Sequence, residues 1–161
     1  MINASDIMQI EHQVGHTLWM IQALEKTLVH FIVLGTNKFK RTESSLAEER
    51  FTVLEKFTMG SLVSDIIKNT EAPPELKERL SLLLQKRNWF VHKSWSDHYE
   101  YVSTPVRLAQ FFSKLNEISE ESVALNERFG ELVKKSVVAA GVSEDYIEEE
   151  TRKILAKWFE A

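Results

Sequence analysis

Pro74–Lys93, PELKERLSLLLQKRNWFVHK, decides how the chain folds and where its chemistry lies. At 100° per residue, Leu76, Leu80, Leu83, Arg87 and Val91 fall on one stripe, with Leu84 and Phe90 at its edges. The stripe reads as the inward face of an amphipathic helix, and Arg87 stands on it in place of an apolar residue. Burying an unpaired guanidinium is costly, so Arg87 needs an acidic partner, an opening to water or a ligand. His92 lies about 140° further round the helix. It shares the opposite face with Leu82, Gln85 and Trp89, which is too apolar for open solvent. The helix is therefore expected to be covered on two sides, by its own bundle and by a second copy of the chain. A two-fold axis beside it would gather two Arg87 and two His92 in one cleft.

The flanking sequence extends the helical pattern in both directions. Ser5 is placed to cap a first helix, in which Ile7, Ile10, Val14, Leu18, Ile21, Leu28 and Ile32 recur at helical steps to about Leu34, with Leu24 and Glu25 filling the longer gap. Gly35-Thr36-Asn37 reads as its stop and Lys38 to Arg41 as a basic turn. Ser45 and Glu48 form a capping box for a second helix through Leu46, Val53, Leu54, Phe57, Val63, Ile66 and Ile67, with Gly60 marking a bend or a close approach. Asn69 to Pro74 ends that helix and opens the third, because proline is tolerated in a first turn but not in a helix interior. The third helix runs from about Glu75 to between Ser94 and Tyr99. Thr104-Pro105 announces a long fourth helix carrying Leu108, Phe111, Phe112, Leu115, Ile118, Leu125, Phe129, Leu132 and Val133, to about Ala140. Gly141 stops it. Ser143 caps a last helix that is acidic first (Glu144 to Glu150) and basic later (Arg152, Lys153, Lys157), the order that complements the helix dipole. The predicted fold is all-α, one domain over residues 1–161: an up-and-down bundle of four long helices plus a C-terminal helix.

Composition agrees with this and narrows the chemistry. Only 5 glycines and 3 prolines occur in 161 residues, which favours long regular elements. There is no cysteine, so a disulfide scaffold, a thiolate nucleophile and a zinc finger are excluded. No signal peptide is visible at the N-terminus. The best apolar run, Leu28 to Gly35, is too short to span a bilayer and contains His30, so a cytoplasmic protein without a membrane role is expected. The net charge is -4. A protein holding nucleic acid mainly through nonspecific phosphate contacts is usually basic, so any action on nucleic acid must be local or confined to a small basic cleft.

Arginine holds phosphate through a planar fork of donors, and histidine moves a proton near neutral pH. Arg87 and His92 are thus the smallest set able to cleave a phosphodiester without a metal. Arg87-Asn88-Trp89-Phe90-Val91-His92 resembles the R-x4-6-H signature of HEPN domains, in the R-N-x-x-x-H form found in HEPN toxins and defence nucleases. The helical layout is similar over nearly the whole chain, and the sequence match covers these six residues. The resemblance implies a homodimer with a composite cleft and metal-independent endoribonuclease activity, needing no cofactor. It assigns Arg87, His92 and Asn88 to catalysis. Cleavage would proceed by attack of the ribose 2′-OH, with His92 as acid or base, Arg87 stabilising the transition state and Asn88 orienting the phosphate or the histidine. Lys86 and Lys93 would guide the RNA backbone. Trp89 and Trp95 are packing residues or platforms for an unpaired base, packing being the plainer reading.

Two other readings compete. HEPN domains also occur without nuclease activity, binding nucleotides or protein partners. As such a module this chain would dimerise through the same helix and bind an antitoxin or a nucleotidyltransferase, with Arg87 a structural ion-pair member. A metal-binding bundle is the weaker alternative. His12 and His16 have ligand spacing beside Glu11, but only Asp97 and His98 offer further ligands. Gly-x-Ser-x-Gly is absent, so a serine hydrolase has no support.

Overall fold

The computed structural model describes residues 4–35, 44–94, 96–97 and 104–159. Among the described residues six α-helices follow one another: α1 (Ala4–His30), α2 (Ser44–Leu54), α3 (Met59–Asn69), α4 (Pro74–His92), α5 (Pro105–Ala139) and α6 (Glu144–Phe159). Among the described residues there is no strand. The all-α prediction is therefore correct, and several helix ends lie where their local chemistry placed them. Thr104 accepts from the Arg107 amide at 3.3 Å to cap α5, with Pro105 in the first turn. Gly141 ends α5 at φ +94°, a conformation glycine adopts without strain. Ser143 accepts from the Tyr146 amide at 3.3 Å to open α6. Ser5 and Ser45 stand inside their helices rather than before them: α1 has begun by Ala4 and α2 by Ser44. The predicted basic turn Lys38 to Arg41 lies outside the described residues.

The predicted second long helix is two short ones. Near its end α2 tightens, with the Lys56 amide bonding the Val53 carbonyl and the Phe57 amide bonding the Leu54 carbonyl, and then stops. Thr58 adopts an extended conformation and its hydroxyl accepts from the Ser61 amide at 3.3 Å, which starts α3. Threonine competes with the helix by bonding the backbone locally, and helical apolar spacing on both sides conceals the break.

That break changes the topology. Contacts between α1 and α5 advance together along both helices. Gln13 donates to Asn116, Thr17 to the Leu115 carbonyl at 3.4 Å, Thr27 to Asn126 at 2.6 Å, and Ser136 to the Gly35 carbonyl at 3.1 Å. The two longest helices are thus parallel neighbours. α4 runs antiparallel to α5: Glu75 faces Arg128, Arg79 faces Glu121, and Trp89 faces Phe111. A simple up-and-down bundle of four would set its first and last helices antiparallel. Splitting the second helix supplies the extra reversal.

The core is built from Leu24 and Leu28 of α1, Leu62 and Ile66 of α3, Leu76, Leu80 and Leu83 of α4, and Leu115, Leu125 and Phe129 of α5. The inward face of α1 is rotated from the expected one. Thr17, Ile21, Leu24 and Leu28 are buried, whereas Ile7 and Leu18 are exposed. By length and composition alone, Ala4–Gly35 is apolar enough to cross a membrane, a test that core helices of soluble bundles also pass. Here its apolar stripe packs on α5.

The last turn of α1 widens into a π-helical turn, Phe31–Gly35. Phe31 packs edge-on to Phe129 with ring centroids 4.9 Å apart. A Cβ on Gly35 would run into Cδ2 of Phe31 and reach 2.9 Å from its Cε2. Gly35→Ala is expected to lower stability by about 1–3 kcal/mol through this overpacking, measurable by urea unfolding. An unchanged midpoint would show that the Phe31 ring can move aside freely.

Candidate functional site

The C-terminal half of α4 carries the residues singled out from sequence. Leu76, Leu80, Leu83 and Phe90 are buried, and Arg87 lies between the last two on the same stripe with its side chain 22% exposed. Val91 does not belong to that stripe, since it is 43% exposed. It follows Phe90, which takes the inward position one residue earlier.

Of the three ways to accommodate Arg87, the structure supplies an acidic partner. Glu25 of α1 brings Oε1 to 3.7 Å from Nη2. The pairing is loose. That distance is an ion pair without a hydrogen bond, and Nη1 reaches Asn88 Oδ1 only at 3.5 Å. Nε is buried and has no partner among the described residues. Arg79, two turns earlier, provides the contrast: Nε and Nη2 bond both Glu121 oxygens at 2.8 and 3.0 Å. Burial pushes the Glu25 carboxyl above its ordinary pKa, and the Arg87 charge pulls it part of the way back.

His92 is the last residue of α4, exposed, with no side-chain hydrogen bond or ion pair to the described residues. Within one chain it faces away from Arg87, as the helical spacing requires. Asn88 is exposed beside Arg87. Lys86 is tied to Glu117 of α5. Lys93 is exposed, and its amide bonds the Trp89 carbonyl at 2.8 Å to close the helix.

Trp89 is partly buried. Its indole donates to Asp97 Oδ2 at 3.0 Å, its ring meets Phe111 edge-on, and the Lys114 ammonium sits 4.5 Å from its centroid. Trp95 and His98 lie outside the described residues. Leu82 is 50% exposed, so one chain leaves the outer face of α4 partly open. His12 and His16 are exposed on α1, and no group of three or more His, Cys, Asp or Glu able to hold a metal occurs among the described residues. A cleft of about 850 Å³, lined by Phe31, Arg50, Thr70, Pro73 and Lys135 among others, lies at the opposite end of α4 and includes none of these groups.

Glu25 is the site residue that the sequence reading passed over. Its signal was present: Ile21, Glu25, Leu28 and Ile32 follow helical steps, so a carboxylate borders the apolar stripe of α1 as a guanidinium interrupts that of α4. Each charge is anomalous alone and explained by the other. No protein-family model, curated protein or solved structure matches the chain.

Proposed function

We propose that the chain is a metal-independent endoribonuclease of HEPN type, acting in the cytoplasm as a homodimer through α4. The observation that carries the reading is the under-bonded guanidinium of Arg87. It is set in an apolar stripe, its Nε is buried without a partner among the described residues, and its remaining donors make no polar contact with them shorter than 3.5 Å. A phosphate offers the oxygens such a fork lacks. The exposed Leu82 gives a second copy an apolar surface to cover, and the exposed His92 lies on the same outer side of α4, open to a partner.

In the reaction, one His92 takes the proton of a ribose 2′-OH as the oxygen bonds to the adjacent phosphorus. The phosphorus–O5′ bond breaks, and the leaving oxygen takes a proton from the second His92. The products are a 2′,3′-cyclic phosphate and a 5′-OH. Arg87 stabilises the charge that builds on the phosphoryl oxygens, and Asn88 orients the phosphate. Lys93 is free to contact the backbone, while Lys86 must first leave Glu117.

A catalytically silent module that binds a protein partner is the second reading. The Glu25–Arg87 pair favours it, because a structural partner already answers the burial of Arg87. The test is cleavage of a labelled single-stranded RNA in EDTA. Wild type is expected to cut it, leave a cyclic phosphate, and spare single-stranded DNA of the same sequence, which lacks the nucleophile. Equal cutting of DNA, or loss of activity with EDTA, would overturn the mechanism. No cleavage across several RNAs would move the assignment to the binding module.

A further inference from the structure

We propose that Glu25 is a displaceable stand-in for phosphate on Arg87, restraining anion binding at this site until a phosphodiester takes its place. The inference rests on the reading that Arg87 binds phosphate. Two arginines on one helix carry the argument. Arg79 is locked to Glu121 by two short hydrogen bonds. Arg87 is held by Glu25 at 3.7 Å through charge alone, although both side chains are largely enclosed, 22% and 27% exposed. A pair serving only to fix the two helices gains by closing to hydrogen-bond distance, as Arg79 and Glu121 do. Glu25 instead supplies the countercharge that keeps the guanidinium on the apolar face, while Nε has no partner among the described residues and Nη1 reaches Asn88 only at 3.5 Å. A phosphate arriving at the fork meets the Glu25 carboxylate as a like charge, so the two compete for one cation. Partial burial already makes the charged carboxylate costly where it stands, which lowers the barrier to its release.

The test is binding of a fluorescein-labelled, 2′-O-methyl single-stranded RNA, which lacks the nucleophile, followed by fluorescence anisotropy. The full chain is compared as wild type, Glu25→Gln, Arg87→Ala and the double variant. Glu25→Gln keeps the shape, exchanges one acceptor oxygen for a donating NH2, and removes the charge. It is expected to bind about fivefold tighter, the scale of a partly exposed ion pair. The gain is expected to vanish in the Arg87→Ala background. Unchanged or weaker binding by Glu25→Gln, with Arg87→Ala still weakening binding, would overturn the proposal and leave the phosphate reading standing. An equal gain in both backgrounds would also overturn it, as a general effect of removing negative charge. Binding by Arg87→Ala equal to wild type, or no binding by any form, would overturn the phosphate reading and the proposal with it. Thermal unfolding of each variant establishes that it is folded, and Glu25→Ala repeats the measurement should Glu25→Gln unfold.

Discussion

His92→Ala is expected to lower the rate of RNA cleavage by about 10²–10⁴-fold, the usual contribution of a positioned acid or base. The fold should be untouched. His92 ends α4, is exposed, and its imidazole bonds to no described residue. Surface substitutions of this kind change stability by no more than about 0.5 kcal/mol. A loss of cleavage with an unchanged melting temperature therefore belongs to chemistry. Arg87→Ala cannot be read so directly, because it leaves the Glu25 carboxylate partly enclosed without its countercharge. Cleavage at the wild-type rate by a folded His92→Ala protein would remove His92 from the mechanism.

Phe129→Ala is expected to cost about 3–5 kcal/mol of folding stability. Its ring is fully buried on α5 and meets Phe31 edge-on where the π-helical turn of α1 lies against α5. Truncation opens a cavity between the two longest helices, where Phe129 meets Phe31. Urea unfolding at constant m-value reports the loss as a fall in midpoint. A change below about 1 kcal/mol would mean that α1 and α5 repack around the missing ring. Val106→Ala, at an exposed position in the first turn of α5, is the control in the same assay.

The long helices were legible because their signals are local. Thr104-Pro105, Gly141, Ser143 and the Pro73-Pro74 pair each act on backbone groups within one turn, and periodicity revealed the faces of α4 and α5. The break at Thr58 was missed because a threonine cap is a single side chain between two stretches that each keep a helical rhythm, and Gly60 signalled only a bend or a close approach. Val91 was misplaced because Phe90, at the neighbouring register, buries better. The parallel pairing of α1 with α5 was not legible, since it depends on how many reversals lie between them. The candidate site was half legible. Arg87 demanded a partner, but an ion-pair partner is chosen by tertiary packing, and nothing near Arg87 in sequence points to Glu25.

The parallel pairing of α1 and α5 also sets an order of events during synthesis. The hydrogen bonds that join the two helices span about a hundred residues of chain. α1 leaves the ribosome long before the helix that covers it. At roughly 5–20 residues per second, its apolar stripe waits on the order of 5–20 s for Phe129 to be made. The early chain must therefore tolerate an uncovered apolar helix, and the late-formed α5 closes the fold by docking along nearly its whole length at once. Contacts so distant in sequence slow folding relative to hairpin-connected bundles of similar stability.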